Sequence, residues 1–293
     1  MRKWEKRALF TVGLLLLIIG ALAYRSIRLL HGTPQWYRRS TATLAEKEAA
    51  ARRAFNKFVG IQNVAATIHN DRQRARATQD ATTEPAQTIT VSFTDDELNA
   101  FFEKWSNFED WKQNYDSYVE NPIILLKPGQ ILLAGQVRDL DTIATVEFDP
   151  SLDDQGQLDL KLTEILGGRL PIPQPFVRPY FHKITDVLRD RLPAWRQGAT
   201  IEADGAANKN LICASLSRLL IRTLQGEPTD PILFLPVVER HANVPAQIVG
   251  VIVGDHWLTV TVRPLDHSQR QALVDRIHAV DPIADSKEPA PEK

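Results

Sequence analysis

Cysteine is almost absent from this chain of 293 residues, because Cys213 is the only one. A single cysteine excludes an intrachain disulfide framework and a zinc site built from several cysteines. Cys213 stands beside the apolar stripe of a predicted helix, "NLICASLSRLLIRTL". We therefore interpret it as a small buried hydrophobe rather than as a reactive thiol.

Catalytic signatures are also missing. The chain has no G-x-S-x-G elbow, no G-x-x-x-x-G-K phosphate loop, no H-E-x-x-H pair and no G-x-G-x-x-G turn after a strand. Its seven histidines show no ligand spacing. His256 lies in a predicted hairpin turn and His267 at a predicted helix start, where solvated or capping roles account for them. We expect no enzymatic activity, no cofactor and no metal site.

Acidic residues are scarce near the N terminus. Residues 1–76 hold 15 Lys and Arg against 4 Asp and Glu, whereas the remainder holds 20 against 32. An acidic body repels phosphate backbones, and the basic segment lacks interleaved aromatic residues that stack on bases. The charge distribution therefore predicts no nucleic-acid partner.

One apolar run is long enough to concern a membrane. The 17 residues from Ala8 to Tyr24 carry no charge and follow the basic tail "MRKWEKR", which fits the lower limit for a spanning helix. Arg25 and Arg28 can snorkel, which extends the helix through Leu30. A cleaved signal peptide is the alternative, since "ALA" at 21–23 resembles a cleavage site. We favour an uncleaved anchor in the cytoplasmic (inner) membrane, with the body outside the cytoplasm.

The segment after the anchor predicts a long helix. Its apolar residues approach heptad spacing and are Leu44, Ala51, Phe55, Phe58, Ala65 and Ile68. We divide the chain into a tail and anchor (1–30), a helical stalk (31–70), a polar linker (71–87), a body (88–283) and a disordered tail (284–293). The heptad pattern also predicts self-association through the stalk.

The body reads as an α+β domain, with a curved and mainly antiparallel sheet that has helices on one face. In "TITVSFTDDELNAFF" a strand leads into a helix, with Thr94 as N-cap and Glu97 completing a capping box. The stretches "IILLKPGQILLAGQV", "TIATVEF" and "LDLKLTEI" then predict half-buried strands with one dry face. Both faces of "IVGVIVG" are apolar, which indicates a central strand or one lining an apolar space.

The stretch "ILGGRLPIPQPF" links a strand to a helix. Gly167 and Gly168 suit a turn without side-chain hindrance, and Pro175 suits a first helical turn. The helix places apolar residues on one stripe, which we expect to cover the dry face of the sheet. Leu170 and Ile172 would then lie at the rim of the core.

The order of these elements resembles that of the YpmS-like proteins, bacterial envelope proteins held by one N-terminal anchor. The resemblance rests on "FTDDELNAFF", on the three strands ending in "LGGRLPIP" and on "IVGVIVGDHWLTVTVRPL". The strand order is also similar to that of tubular lipid-binding domains, in which a curved sheet wraps a helix and leaves an apolar groove. Neither resemblance implies catalytic residues.

Taken together, the dry sheet face, the aromatic residues and the rim loop lead to the expectation of a lipid or another apolar ligand between sheet and helices. The candidate lipid-binding residues are Phe101, Trp105, Trp111, Leu170, Ile172, Phe176 and Tyr180. An envelope assembly protein that docks a partner through its stalk and the 166–175 loop is the alternative.

Overall fold

The computed structural model describes residues 24–37, 41–77, 88–106, 119–202, 207–234 and 245–279, except for the side chains of residues 62, 64–77, 105, 106 and 139. Residues 24–30 are helical. The helices that follow are α1 (Leu44–Ala77), α2 (Asp95–Ser106), α3 (Gln174–Gln197), α4 (Lys209–Gln225) and α5 (His267–His278). The strands are β1 (Ile89–Thr94), β2 (Val119–Lys127), β3 (Gln130–Val137), β4 (Thr142–Leu152), β5 (Leu158–Gly167), β6 (Leu170–Pro171), β7 (Ile232–Phe234), β8 (Pro245–Val253) and β9 (Trp257–Pro264).

The strands form two antiparallel sheets, which confirms the predicted α+β class. Sheet 1 has the order β1-β9-β8-β7 and sheet 2 the order β2-β3-β4-β5-β6. The expectation of one curved sheet was wrong because β1 pairs with distant β9, from Ile89 opposite Val262 to Thr94 opposite Trp257. Strand β8 is an interior strand of sheet 1, one of the two positions that its apolar faces indicate.

No helix in the described part of the chain is long and apolar enough to cross a membrane. Residues 1–23, which hold nearly all of the predicted anchor, lie outside the described residues, as does the predicted tail at 284–293. Helix α1 runs on to Ala77, into the predicted linker, whose residues 78–87 are also outside. The anchor and its orientation therefore stay predictions.

The first half of α1 is a wall of the main core. Ala54 and Ile61 are buried there together with Phe93 of β1 and Phe101 of α2, and Leu126 of β2 completes the cluster from sheet 2. The Phe58 ring stacks 4.7 Å from the Phe93 ring and 4.8 Å from the Phe101 ring, measured between centroids. In this structure the helix predicted as a stalk packs against the body.

An ion cluster fixes α1 to α2. The capping box is present as predicted, because the Glu97 N–H donates to Thr94 Oγ1 at 3.2 Å and Glu97 Oε2 accepts from the Thr94 N–H at 3.0 Å. The buried Glu97 carboxylate also accepts from Lys57 Nζ at 2.5 Å and Arg53 Nε at 3.3 Å. Burial opposes ionisation, but the bonds from Lys57, Thr94 and Arg53 outweigh it and lower the pKa of Glu97.

A second polar contact joins the two sheets. In the turn after β8, His256 adopts φ +62° and its N–H donates to the carbonyl of Leu126 in β2 at 3.0 Å. Its Nδ1 lies 2.6 Å from Asp95 Oδ2. This bond, and then the charge of Asp95, raise the pKa of His256. The interpretation of His256 as a solvated or capping turn residue fits its exposed side chain but did not include this link.

The helices after sheet 2 form a separate layer. Helices α3, α4 and α5 share a cluster that includes Leu192, Leu211 and Leu273, with Phe234 of β7. Helix α3 is buried through Thr185, Leu192 and Arg196. The stripe expected to cover the sheet is instead largely exposed, because the helix packs through a different face against α4.

Replacing Phe58 by alanine should lower the free energy of unfolding of the whole chain by about 3 kcal/mol, because two ring contacts are lost and a void is left. Urea unfolding of the full chain in mild detergent, followed by far-UV circular dichroism, measures it. Leu44→Ala is the control on the same helix, since Leu44 is 76% exposed. An unchanged midpoint for F58A would show that α1 is not part of the core.

The link between His256 and Asp95 predicts a pH dependence of stability. Since the folded pKa of His256 is raised above its ordinary value of 6.5, its contribution is fully present below that value and is lost as the pH rises through the folded pKa. Unfolding free energies measured between about pH 5 and 9 should fall over this window. In Asp95→Asn the fall should be much smaller. An equal fall in both proteins would assign the effect to other groups.

Candidate functional site

The turn between β5 and β6 requires its second glycine. Gly168 adopts φ +59°, and a Cβ at this position would collide with the carbonyl oxygen of Leu30. The Gly168 N–H donates to the carbonyl of Ile143 at 2.7 Å. Both the positive φ and the close backbone approach favour glycine, which explains the pair of glycines in the sequence.

Residues 29–33 are held against this turn by hydrogen bonds to backbone carbonyls. The Arg169 N–H donates to the Leu29 carbonyl at 2.8 Å. The Arg169 guanidinium donates to the Thr33 carbonyl at 3.0 and 2.9 Å, and Thr142 Oγ1 donates to the Leu30 carbonyl. The last residues of the predicted anchor segment (1–30) and the residues that follow it are therefore joined to sheet 2.

One face of sheet 2 consists of apolar rows that run across its strands, because residues in antiparallel register share a face. The first row comprises Leu126, Ile131, Phe148 and Leu162, and it enters the main core, where Leu126 is fully buried. The next row comprises Ile124, Leu133, Val146 and Ile165. We call this second set the open row after Leu133 at its centre, which is 42% exposed; Ile165 at its end is buried, and Ile124 and Val146 are half-buried.

Small residues border the open row on the side of the turn. Gly135, Ala144 and Gly167 follow one another across the strands, and the larger Leu170 of β6 ends the row. Leu30 Cδ1 and Ile172 Cδ1 lie 2.7 and 3.1 Å from the position that a Cβ on Gly167 would occupy. The missing side chain thus leaves space that Leu30 and Ile172 fill, and the two residues meet at this rim.

The opposite face of sheet 2 carries buried polar groups. Burial raises the pKa of Glu147, a shift that Lys127 opposes and Glu164 reinforces. Thr145 Oγ1 is buried and has no hydrogen-bond partner among the described residues. The Lys127 ammonium lies 5.8 Å from the centroid of the Trp36 ring. This face thus holds a carboxyl with a raised pKa, Glu147, and a buried hydroxyl, Thr145, two residues apart on the same strand.

A cleft of about 320 Å³ opens on that face beside Leu166, the residue that pairs with Thr145. It is lined by Pro34, Gln35, Trp36, Leu166, Gly168 and Arg169. The guanidinium in its wall is already bonded to the Thr33 carbonyl. Within the residues that the structure describes, no group of three His, Cys, Asp or Glu side chains is arranged to hold a metal ion.

The structure separates the seven candidate lipid-binding residues. Phe101 is buried in the main core. Leu170 and Ile172 are half-buried at the rim described above. Phe176 and Tyr180 are 71% and 68% exposed on α3. Of the two tryptophans, Trp105 lies in α2 with its side chain outside the described set, and Trp111 lies outside the described residues.

Sequence patterns did not identify Leu133 or Leu30 as members of this site. In "QILLAGQV" both strand faces are apolar, so alternation cannot tell which leucine is exposed. Leu30 contacts the turn through its backbone carbonyl at Gly168 and through the space that glycine leaves at position 167. Neither contact produces a pattern of side chains in the sequence. The signal that could have revealed this rim is the alignment of Gly135, Ala144 and Gly167 across neighbouring strands. Reading it requires the register of the strands, which the sequence does not give.

Comparisons with known protein families, with curated proteins and with solved structures find no match for this chain. The resemblances to YpmS-like proteins and to tubular lipid-binding domains therefore stay predictions.

Gly168→Ala should destabilise the chain and release residues 29–33. The positive φ costs about 1–2 kcal/mol for a residue with a Cβ, and the collision with Leu30 adds to it. Gly129→Ala is a matched control, because φ is +76° there and a Cβ meets nothing within 4 Å. Thermal melting compares the two losses.

Limited trypsin digestion gives a second comparison of the variants G168A and G129A. Cleavage after Arg28 and Arg169 should be about tenfold faster in G168A than in G129A, because cleavage follows the population of the opened segment. Equal rates and equal melting temperatures in the two variants would show that the approach of Leu30 to Gly168 contributes nothing.

Proposed function

We propose that this chain is a membrane-anchored, non-enzymatic protein whose extracytoplasmic body binds a lipid acyl chain or another apolar ligand along the open row of sheet 2. The observation that carries the proposal is the exposure of Leu133. It lies between Ile124 and Val146 in register and is 42% exposed on a face whose neighbouring rows are apolar. An acyl chain would remove the exposed part of Leu133 and of its half-buried neighbours from water, at about 25 cal/mol per Å² of apolar area.

The position of the anchor supports a lipid as the ligand. The rim beside the open row contains Leu30, which is the last residue to which the predicted spanning helix extends. A chain leaving the outer leaflet would therefore meet the rim before it meets the open row. Bound ligand would lie between the main core on one side and Leu30 with Ile172 on the other.

Two observations favour this function over the alternative, an assembly protein. The turn at 167–169 is already bonded to residues 29–33, so its polar groups are not free to dock a partner. The apolar face of α1 contributes Ala54 and Ile61 to the main core, which leaves less of that face for self-association.

Photocrosslinking at Leu133 tests the proposal in the full chain. Leu133 is replaced by the photoreactive residue p-benzoylphenylalanine in bacteria that are fed an alkyne-tagged fatty acid. We expect an ultraviolet-dependent adduct of unchanged apparent protein mass that carries the lipid tag. The control position is Leu140, which is 60% exposed and lies outside the apolar rows.

The adduct at position 133 should be about tenfold stronger than that at position 140, which corresponds to about 1.4 kcal/mol of preference. Equal labelling at both positions, or no tagged adduct at position 133, would contradict lipid binding on the open row. An adduct of higher mass at position 133, containing a second protein, would show that a partner protein and not a lipid covers the open row. That outcome would favour the assembly function.

A further inference from the structure

The first half of α3 presents an apolar stripe that the described residues do not cover. Phe176, Tyr180, Ile184 and Val187 are all exposed, and their spacing places them on one side of the helix. Two of them are aromatic residues that are more than two-thirds exposed. The helix is buried through other positions, Thr185, Leu192 and Arg196, so the stripe is not needed for its packing.

The start of α3 lies close to the end of the predicted anchor. Ile172, two residues before the helix, packs at the vacant side-chain position of Gly167, and Leu30 packs at the same position. The Arg169 N–H and guanidinium hold Leu29 and Thr33 by their carbonyls. The predicted span lies almost entirely in residues 1–23, which are outside the described residues. Residue 23 precedes Leu29 by about one and a half turns of helix. A spanning segment there therefore delivers the start of α3 to the membrane surface.

The stretches of chain at this end of the molecule carry mainly positive charge, although Asp141, whose carbonyl lies 3.3 Å from His31 Nδ1, and Asp186, next along α3, are acidic neighbours. Residues 24–37 and 165–185 contain no Asp or Glu, and their cationic residues are Arg25, Arg28, Arg169, Arg178 and Lys183. All five are exposed. The remainder of the chain after residue 76 is acidic overall, so this basic surface is local. Basic residues near an anionic bilayer are attracted to its surface.

We propose that residues 174–184 of α3 lie in the headgroup region of an anionic bilayer, with Phe176 and Tyr180 inserted into it. Helices of this kind combine an apolar stripe containing aromatic residues with basic flanks. The inference rests on the anchor of the proposed function but not on ligand binding at the open row. It assigns a second membrane contact to the body, in addition to the span.

Spin labels on the full chain in vesicles test this proposal. Cys213 is first replaced by serine, and single cysteines are introduced as Phe176→Cys, Tyr180→Cys and, as a control, Ile252→Cys. Ile252 is 60% exposed on sheet 1, where it pairs with Thr259. The vesicles contain phosphatidylcholine with about one-third phosphatidylglycerol. Collision rates with oxygen, which enters lipid, and with a neutral nickel chelate, which stays in water, are compared.

Labels at positions 176 and 180 should collide with the nickel chelate at least about tenfold less often than the label at 252, while oxygen collisions rise. Equal nickel access at all three positions would overturn the proposal. Low access to both reagents at 176, with an immobilised spectrum, would also overturn it, because the stripe would then be covered by protein. A chain that fails to float with the vesicles would show that the anchor of the proposed function is wrong.

Charge reversal tests the electrostatic part of the same contact. Arg178→Glu with Lys183→Glu should raise nickel access at position 180 several-fold in the anionic vesicles, because attraction is replaced by repulsion. The control is Lys104→Glu with Lys161→Glu, which reverses two exposed charges elsewhere and should leave access unchanged. The same change in both double variants, or in neither, would overturn the assignment of the basic surface to the bilayer.

Discussion

The close approach of Leu30 to Gly168 is the constraint on which the arrangement of sheet 2 depends. A backbone carbonyl occupies the space that a side chain on Gly168 would need, and Arg169 fixes the neighbouring carbonyls of Leu29 and Thr33. Since these bonds link Arg169 to Leu29 and Thr33, about 140 positions earlier in the sequence, they fix the path of the N-terminal segment along sheet 2. The rim beside the open row exists because the N-terminal segment meets the turn of sheet 2 there.

Sheet 2 changes its role from one row to the next. Leu126 in its first row is fully buried in the core that α1, α2 and sheet 1 share, whereas Leu133 in the second row is partly exposed. The third row consists largely of small residues, over which Leu30 and Ile172 pack. The same strands thus contribute buried side chains to the main core in the first row and an exposed leucine in the second row.

Local elements followed from the sequence because their determinants are local. The capping box of Thr94 and Glu97, the α+β class and the antiparallel strands all rest on patterns within about ten residues. The division into two sheets did not, because β1 pairs with β9 across the whole body. The packing of α1 was hidden for another reason: several of its buried residues are alanines, Ala50, Ala51 and Ala54, which give a weak amphipathic signal. The exposure of Phe176 and Leu133 depends on what covers them, which no local pattern contains.

The tie between residues 29–33 and the turn has a kinetic consequence for a chain anchored at its N terminus. A body on a flexible tether samples many orientations, and each binding event has to wait for the productive one. In the function proposed above, the segment that would leave the bilayer is itself bonded to the sheet, so the rim would be held at a fixed orientation to the membrane as its source of ligand. Capture then resembles an intramolecular reaction with a high effective concentration, and a shallow, weakly binding surface is sufficient where a freely diffusing carrier would need a deep, enclosed cavity.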